Sequence, residues 1–212
     1  MKLTQKDKYK ITSDWQKVYP TYQKYKNLQL LKRYGPLLFG IYLKPVYGEE
    51  HYVPVFFIHS LLSNKDTISL NAQHALLNQK NVEDSISLTR HNKEINQLST
   101  RIAQQVLLLT DEHVNFYSIQ KYYKEFIQTE AGHPIYAIID YLLFLEWSNK
   151  KDIFDQEFIF YDSLIKKFPN EFRILFRSNF EKTNNNNERE PTINNVKLIK
   201  LDDLKNNLII VE

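Results

Sequence analysis

The chain has 212 residues, 42% apolar and 14% aromatic, which is enough for one domain with a sizeable core. It contains no cysteine, which excludes disulfides, cysteine-ligated zinc, iron–sulfur clusters and thiol nucleophiles. The net charge of +3 conceals an asymmetry: residues 1–33 carry nine Lys or Arg against two acids, a net of +7, and the remainder is −4. A basic segment of this kind attracts phosphate backbones, anionic lipid headgroups or an acidic protein surface. Lysine also outnumbers arginine 22 to 6, a bias that AT-rich coding produces without any phosphate-binding role. The N-terminus lacks the apolar core of a signal peptide. The longest nearly apolar run, Ile135–Trp147, carries Asp140 and Glu146 and falls short of the ~20 residues that span a bilayer. A cytoplasmic location is expected.

In chain order, Ser13 followed by Gln16 has the form of a capping box and predicts a short helix from Asp14 to just before Pro20. Gly35, Gly40 and Gly48, interleaved with Pro36, Pro45 and Pro54, mark tightly specified backbone and predict a central hairpin. Leu37, Phe39, Ile41 and Leu43 share a face of its first strand, and Val53, Val55, Phe57, His59 and Leu61 share a face of its second, with the turn at 46–50. Leu38, Phe56, Ile58 and Leu62 make the opposite faces apolar too, so the hairpin should be covered on both sides. An 18-residue repeat, Asp66–Asn71 against Asp84–Thr89, predicts two further strand starts and a sheet of about four strands.

The second half reads as helical. Ile95, Leu98, Ile102, Val106 and Leu109 form one apolar stripe. Thr110 or Asp111 should cap a second helix, Gly132 and Pro134 precede a third over 135–147, and a fourth follows Asp152 and ends at Pro169. Phe172–Phe176 is apolar without a defined type. Residues 183–195, which include four consecutive asparagines, read as a linker or loop after a domain spanning 1–182. Val196–Leu201 and Leu208–Val211 read as short terminal strands. The expected class is α+β: an antiparallel sheet of roughly four strands in the N-terminal half against about four helices in the C-terminal half.

No catalytic motif stands out. Four glycines cannot supply a P-loop or a Rossmann fingerprint, and neither a Gly-x-Ser-x-Gly elbow nor an HExxH pair is present. His51 and His59 share a strand face but lie eight residues, roughly 26 Å, apart, too far to share a metal. His59 reads as a rim or core histidine. Asp140 interrupts the most apolar helix and must either meet a buried partner or face a cleft. The only acid-x-Lys triplet, Asp203-Leu204-Lys205, is no more than chance supplies. No cofactor, metal ligand or catalytic residue is expected.

The exception to core-spaced aromatics is the N-terminal series interleaved with lysines. Trp15, Tyr22, Lys24, Tyr25, Lys26, Lys32, Arg33 and Tyr34, within a basic arm over 1–34, are the candidate binding residues. The leading expectation is a non-enzymatic protein-binding module, of a kind that would suit a bacterial or mobile-element immunity or defence component. The alternative is a nucleic-acid-binding protein or metal-dependent nuclease that uses the basic arm.

Overall fold

A computed structural model of the chain describes residues 2–63, 67–110, 114–129, 134–180, 204–207 and 209. It is an α+β structure in which one sheet, built mainly from the N-terminal half, packs against helices drawn mostly from the C-terminal half. The sheet runs β1 (Gln23–Lys26), β2 (Gln29–Tyr34), β3 (Leu37–Pro45), β4 (His51–Ser60), β5 (Ala72–Ala75), each antiparallel to the next. Two-residue strands extend it: β6 (Ile86–Ser87) pairs with β4, and β7 (Asn206–Asn207) runs parallel to β2.

The sheet is preceded by α1 (Gln5–Val18), a helix longer than expected at its N-terminal end. Its cap is Thr4, whose hydroxyl accepts from the Asp7 amide at 3.2 Å while the Asp7 carboxylate accepts from the Thr4 amide at 2.9 Å. Ser13, read as the cap, lies inside the helix and donates to the Tyr9 carbonyl. The basic stretch 1–34 is therefore α1, β1 and β2, all built into the domain.

The central hairpin forms as its pattern demands. In β3 and β4, Leu37, Phe39, Ile41, Tyr52, Phe56 and Ile58 face the helices, while Leu38 and Phe57 face the other side. Gly40 pairs with Phe57 on that outer side, and the Phe57 ring lies across it: a Cβ on Gly40 would fall 2.0 Å from the ring. The turn between β2 and β3 needs Gly35, at φ +51°, where a Cβ would also meet the Trp147 ring at 2.9 Å. The repeat does not give two equivalent units. After the first copy the chain enters β5, whereas the second copy contains β6 and the start of α2.

The helical layer comprises α2 (Leu88–Gln105), α3 (Phe116–Thr129), α4 (Ile135–Trp147), α5 (Lys151–Ile165) and α6 (Asn170–Phe180), with a 3-10 turn at Leu107–Leu109. α3 starts later than expected, at Asn115, whose side chain accepts from the Ser118 amide at 2.9 Å. α4 is buried over nearly its whole circumference, leaving only Tyr136, Glu146 and Trp147 in contact with solvent, and it packs against α3, α5, α6 and β4. Phe172–Phe176 falls within α6. Among the described residues no helix is long and apolar enough to cross a membrane. The linker 183–195 and the strand read at 196–201 lie outside the described residues, as does the strand read at 208–211 apart from Ile209.

Candidate functional site

The two faces of the sheet are covered unequally. The helices bury the inner face completely, whereas on the outer face Leu31, Leu38, Phe57 and Leu61 form a small cluster flanked by Tyr25, Tyr42, Ile68, Leu70 and Leu204. Residues 67–71 cross this face as a strap, which two polar side chains fix. His59, fully buried on β4, accepts the Ser69 amide at Nδ1 (3.1 Å) and also meets the Ser69 hydroxyl (3.0 Å). Asn71 donates to Asp140 Oδ2 at 2.8 Å, which joins the end of the strap to α4. Both His59 and Asp140 thus have structural partners. Asp140 is 1% exposed.

The strap leaves one end of the outer face open. There a groove of about 570 Å³ runs between Gln5 and Lys8 of α1, the Tyr25–Gln29 hairpin turn, Tyr42 on β3, and Thr67, Ile68 and Leu70 of the strap. None of the described lining residues is acidic. Its floor is a sheet surface: Gln29 of β2 is in register with Tyr42 of β3 on one side and with Lys26 of β1 on the other. The turn that closes β1 onto β2 is held from α1. Thr12 is bonded back to the Lys8 carbonyl (2.6 Å) and accepts the Leu28 amide at 2.7 Å, holding Leu28 at φ +66°, which a branched residue rarely adopts. A smaller hollow, lined by Lys2, Lys8, Pro45, Tyr47 and the acidic Glu49, shares Lys8 and Pro45 with the groove. Three lysines lie over tyrosine rings in this region: Lys2 over Tyr47 at 5.1 Å, Lys24 over Tyr9 at 3.8 Å and Lys26 over Tyr25 at 5.6 Å.

Of the residues singled out in the sequence, Tyr25 and Lys26 line the groove and Lys24 lies beside them on β1. Trp15, Tyr22, Lys32 and Tyr34 are buried and present no surface to a partner. The Lys32 ammonium lies 5.0 Å from the Tyr34 ring, on the helical side of the sheet. Arg33 is half-buried and donates to the Gly35 carbonyl at 3.0 Å. The groove residues that sequence reasoning passed over are Gln5, Lys8, Asn27, Gln29 and Tyr42. Only the two-residue periodicity of β3, which puts Tyr42 on the side away from Ile41, signalled any of them.

A second constellation lies between α1, β4 and α2. The Trp15 indole donates to the Tyr52 hydroxyl at 2.9 Å, Tyr52 meets His91 Nδ1 at 2.6 Å, and His91 Nε2 meets Asp14 Oδ2 at 3.2 Å. Lys10 and Lys17 donate to the same carboxylate at 2.9 and 3.0 Å. Burial alone would raise the Asp14 pKa, but the hydrogen bonds from Lys10, Lys17 and His91 outweigh it and bring it down to about 2. Burial holds His91 below the usual histidine range, against the pull of Asp14. Tyr52 is pushed up, chiefly by burial. No local pattern signals this chain, because Asp14 and His91 stand 77 residues apart.

Among the described residues no group of three or more His, Asp or Glu side chains could hold a metal ion. No protein-family model, curated protein or solved structure matches this chain, so its function is argued from its own geometry.

Proposed function

We propose that this protein is a non-enzymatic binding protein and that the groove over β1, β2 and β3 takes single-stranded nucleic acid. The observation that carries this reading is the lining itself: Lys8 and Lys26 beside Tyr25 and Tyr42, with Gln5, Asn27 and Gln29 between them and no carboxylate among the described lining residues. Single strands present free base faces that stack on aromatic rings at about 1–3 kcal/mol per base, while lysines follow the phosphates. Protein interfaces, in contrast, are depleted in lysine at their centres.

Fluorescence anisotropy with labelled oligonucleotides of about twelve residues tests the reading. If the groove-side lysines Lys2, Lys8 and Lys26 meet phosphates, affinity should fall roughly 20-fold between 50 and 200 mM salt. Single strands should bind more tightly than duplex of the same sequence. No binding at low salt, or equal preference for duplex, would rule the reading out.

A protein partner is the second reading, and exposed apolar side chains on α5 and α6 favour it. Ile159 and Phe160 of α5 and Ile174 of α6 are 70%, 60% and 60% exposed, and apolar side chains of this size are common anchors in protein interfaces. A partner of this kind would survive salt and tolerate changes in the groove.

A further inference from the structure

The chain Trp15–Tyr52–His91–Asp14 has a direction that its chemistry fixes. An indole nitrogen can only donate, so the Tyr52 oxygen accepts from Trp15 and turns its own proton toward His91 Nδ1. Nδ1 is then an acceptor, and the single ring proton sits on Nε2, where it is donated to Asp14. Every group in this chain is satisfied only while His91 is neutral. A proton added at Nδ1 turns that nitrogen into a donor, so the Tyr52 hydroxyl, which already accepts from Trp15, loses the acceptor for its own proton in a site where Tyr52 is 0% exposed and the His91 side chain 1% exposed.

We infer that this chain is a proton-operated latch: uptake of one proton by His91 breaks the Tyr52–His91 bond and weakens the seating of α1 against β4 and α2. Lys10 of α1 also donates to Asn92 of α2, and Tyr19, just after α1, donates to the Ser99 carbonyl at 2.8 Å. Because Gln5 and Lys8 of α1 form one wall of the groove, the latch would tune the groove as well, and that part of the inference rests on the function proposed above.

The charges facing His91 set how readily it takes the proton. From α1 come Asp14, which favours the cation, and Lys10 and Lys17, which already share that carboxylate and offset it. From β4 comes the neutral Tyr52 hydroxyl. On α2 itself, Arg90 and Glu94 are paired with each other at 2.7 Å. The neighbouring histidine is His51, whose strand partner Ser87 caps α2 and whose ring meets Glu49 at 3.0 Å.

The test is imidazole 15N NMR of the intact protein, combined with amide hydrogen exchange across α1, at pH 7.5 and pH 5. The expected result is a neutral His91 with its proton on Nε2 at pH 7.5. On acidification, amides over Ile11–Val18 should exchange about tenfold faster or more after correction for intrinsic chemistry. His91→Gln, which can accept from Tyr52 and donate to Asp14 but takes no proton, should abolish that change; His51→Asn should leave it. Tyr52→Phe, which lacks the bond that protonation breaks, should exchange faster over Ile11–Val18 already at pH 7.5 and lose most of the acid response. A proton found on Nδ1 at pH 7.5, α1 protection unchanged at pH 5, or an undiminished change in His91→Gln would each overturn the latch. The wild-type measurements decide the matter even if a variant fails to fold. If α1 loosens with acid while oligonucleotides bind at no pH, the latch stands and the groove reading falls.

Discussion

At Gly40 the absence of a side chain lets the Phe57 ring lie flat on the sheet and close the outer cluster. Gly40→Ala should therefore cost about 1–3 kcal/mol by overpacking, measured by urea unfolding, and Phe57→Leu in the same chain should recover part of that loss. Two changes with purely additive costs would show that the ring does not depend on the glycine. The titrating residues give a stability profile with two windows. His91 is depressed in the folded state, so the unfolded chain binds its proton first and stability falls as pH drops below about 6.5. Asp14 is depressed to about 2, so its contribution is intact above about 4 and is lost between there and pH 2. Asp14→Asn should flatten the lower window in thermal melts followed against pH, and an unchanged profile would contradict the assigned hydrogen bonds. At this scale the sequence was a poor guide to exposure. Lys26 and Lys32 both lie within two residues of a tyrosine in the sequence, yet Lys32 is buried and Lys26 exposed, because the strand alternation puts Lys32 on the helical face.

Among the elements, α2 to α5 and the β3–β4 hairpin were legible because their apolar periodicity runs over nine residues or more, whereas the five-residue apolar run in α6 left its type undefined. The β1–β2 hairpin was not. Its turn uses Asn27 and Leu28 where Asn-Gly would be the readable signal, and Leu28 keeps its positive φ only because Thr12 on α1 binds its amide. The start of α1 was legible in principle, since Thr4 and Asp7 make a capping box with aspartate in place of the usual glutamate. Thr4→Ala should cost about 1 kcal/mol in chemical denaturation, whereas Ser13→Ala, at the position first read as the cap, should change stability by less than half of that. At α4, Asp140 is tied to the strap by Asn71, so Asn71→Ala should cost about 1–3 kcal/mol by leaving a buried carboxylate oxygen short of a donor. Hydrogen exchange should then rise across 67–71, and an unchanged strap would show that His59 alone holds it.

For the whole molecule, the sheet divides the chain into a side sealed by helices and a side only partly covered by the strap. The α+β class followed from hydrophobic periodicity, but the groove did not, because it is assembled from α1, the first hairpin, β3 and the strap, whose residues are far apart in sequence. The excess of positive charge over residues 1–33 falls on a stretch that supplies part of the groove lining, while four of the eight residues named within 1–34 are buried. The most direct test of the groove compares oligonucleotide affinity at low salt for the wild type, Tyr25→Ala/Tyr42→Ala, Lys8→Glu/Lys26→Glu and, as a control on the opposite layer, Lys167→Glu. Losing two stacking rings should cost about 2–6 kcal/mol, the charge reversals should both weaken binding and flatten its salt dependence, and the control should match the wild type. Wild-type affinity in both groove variants would contradict the assignment of this face as the binding surface.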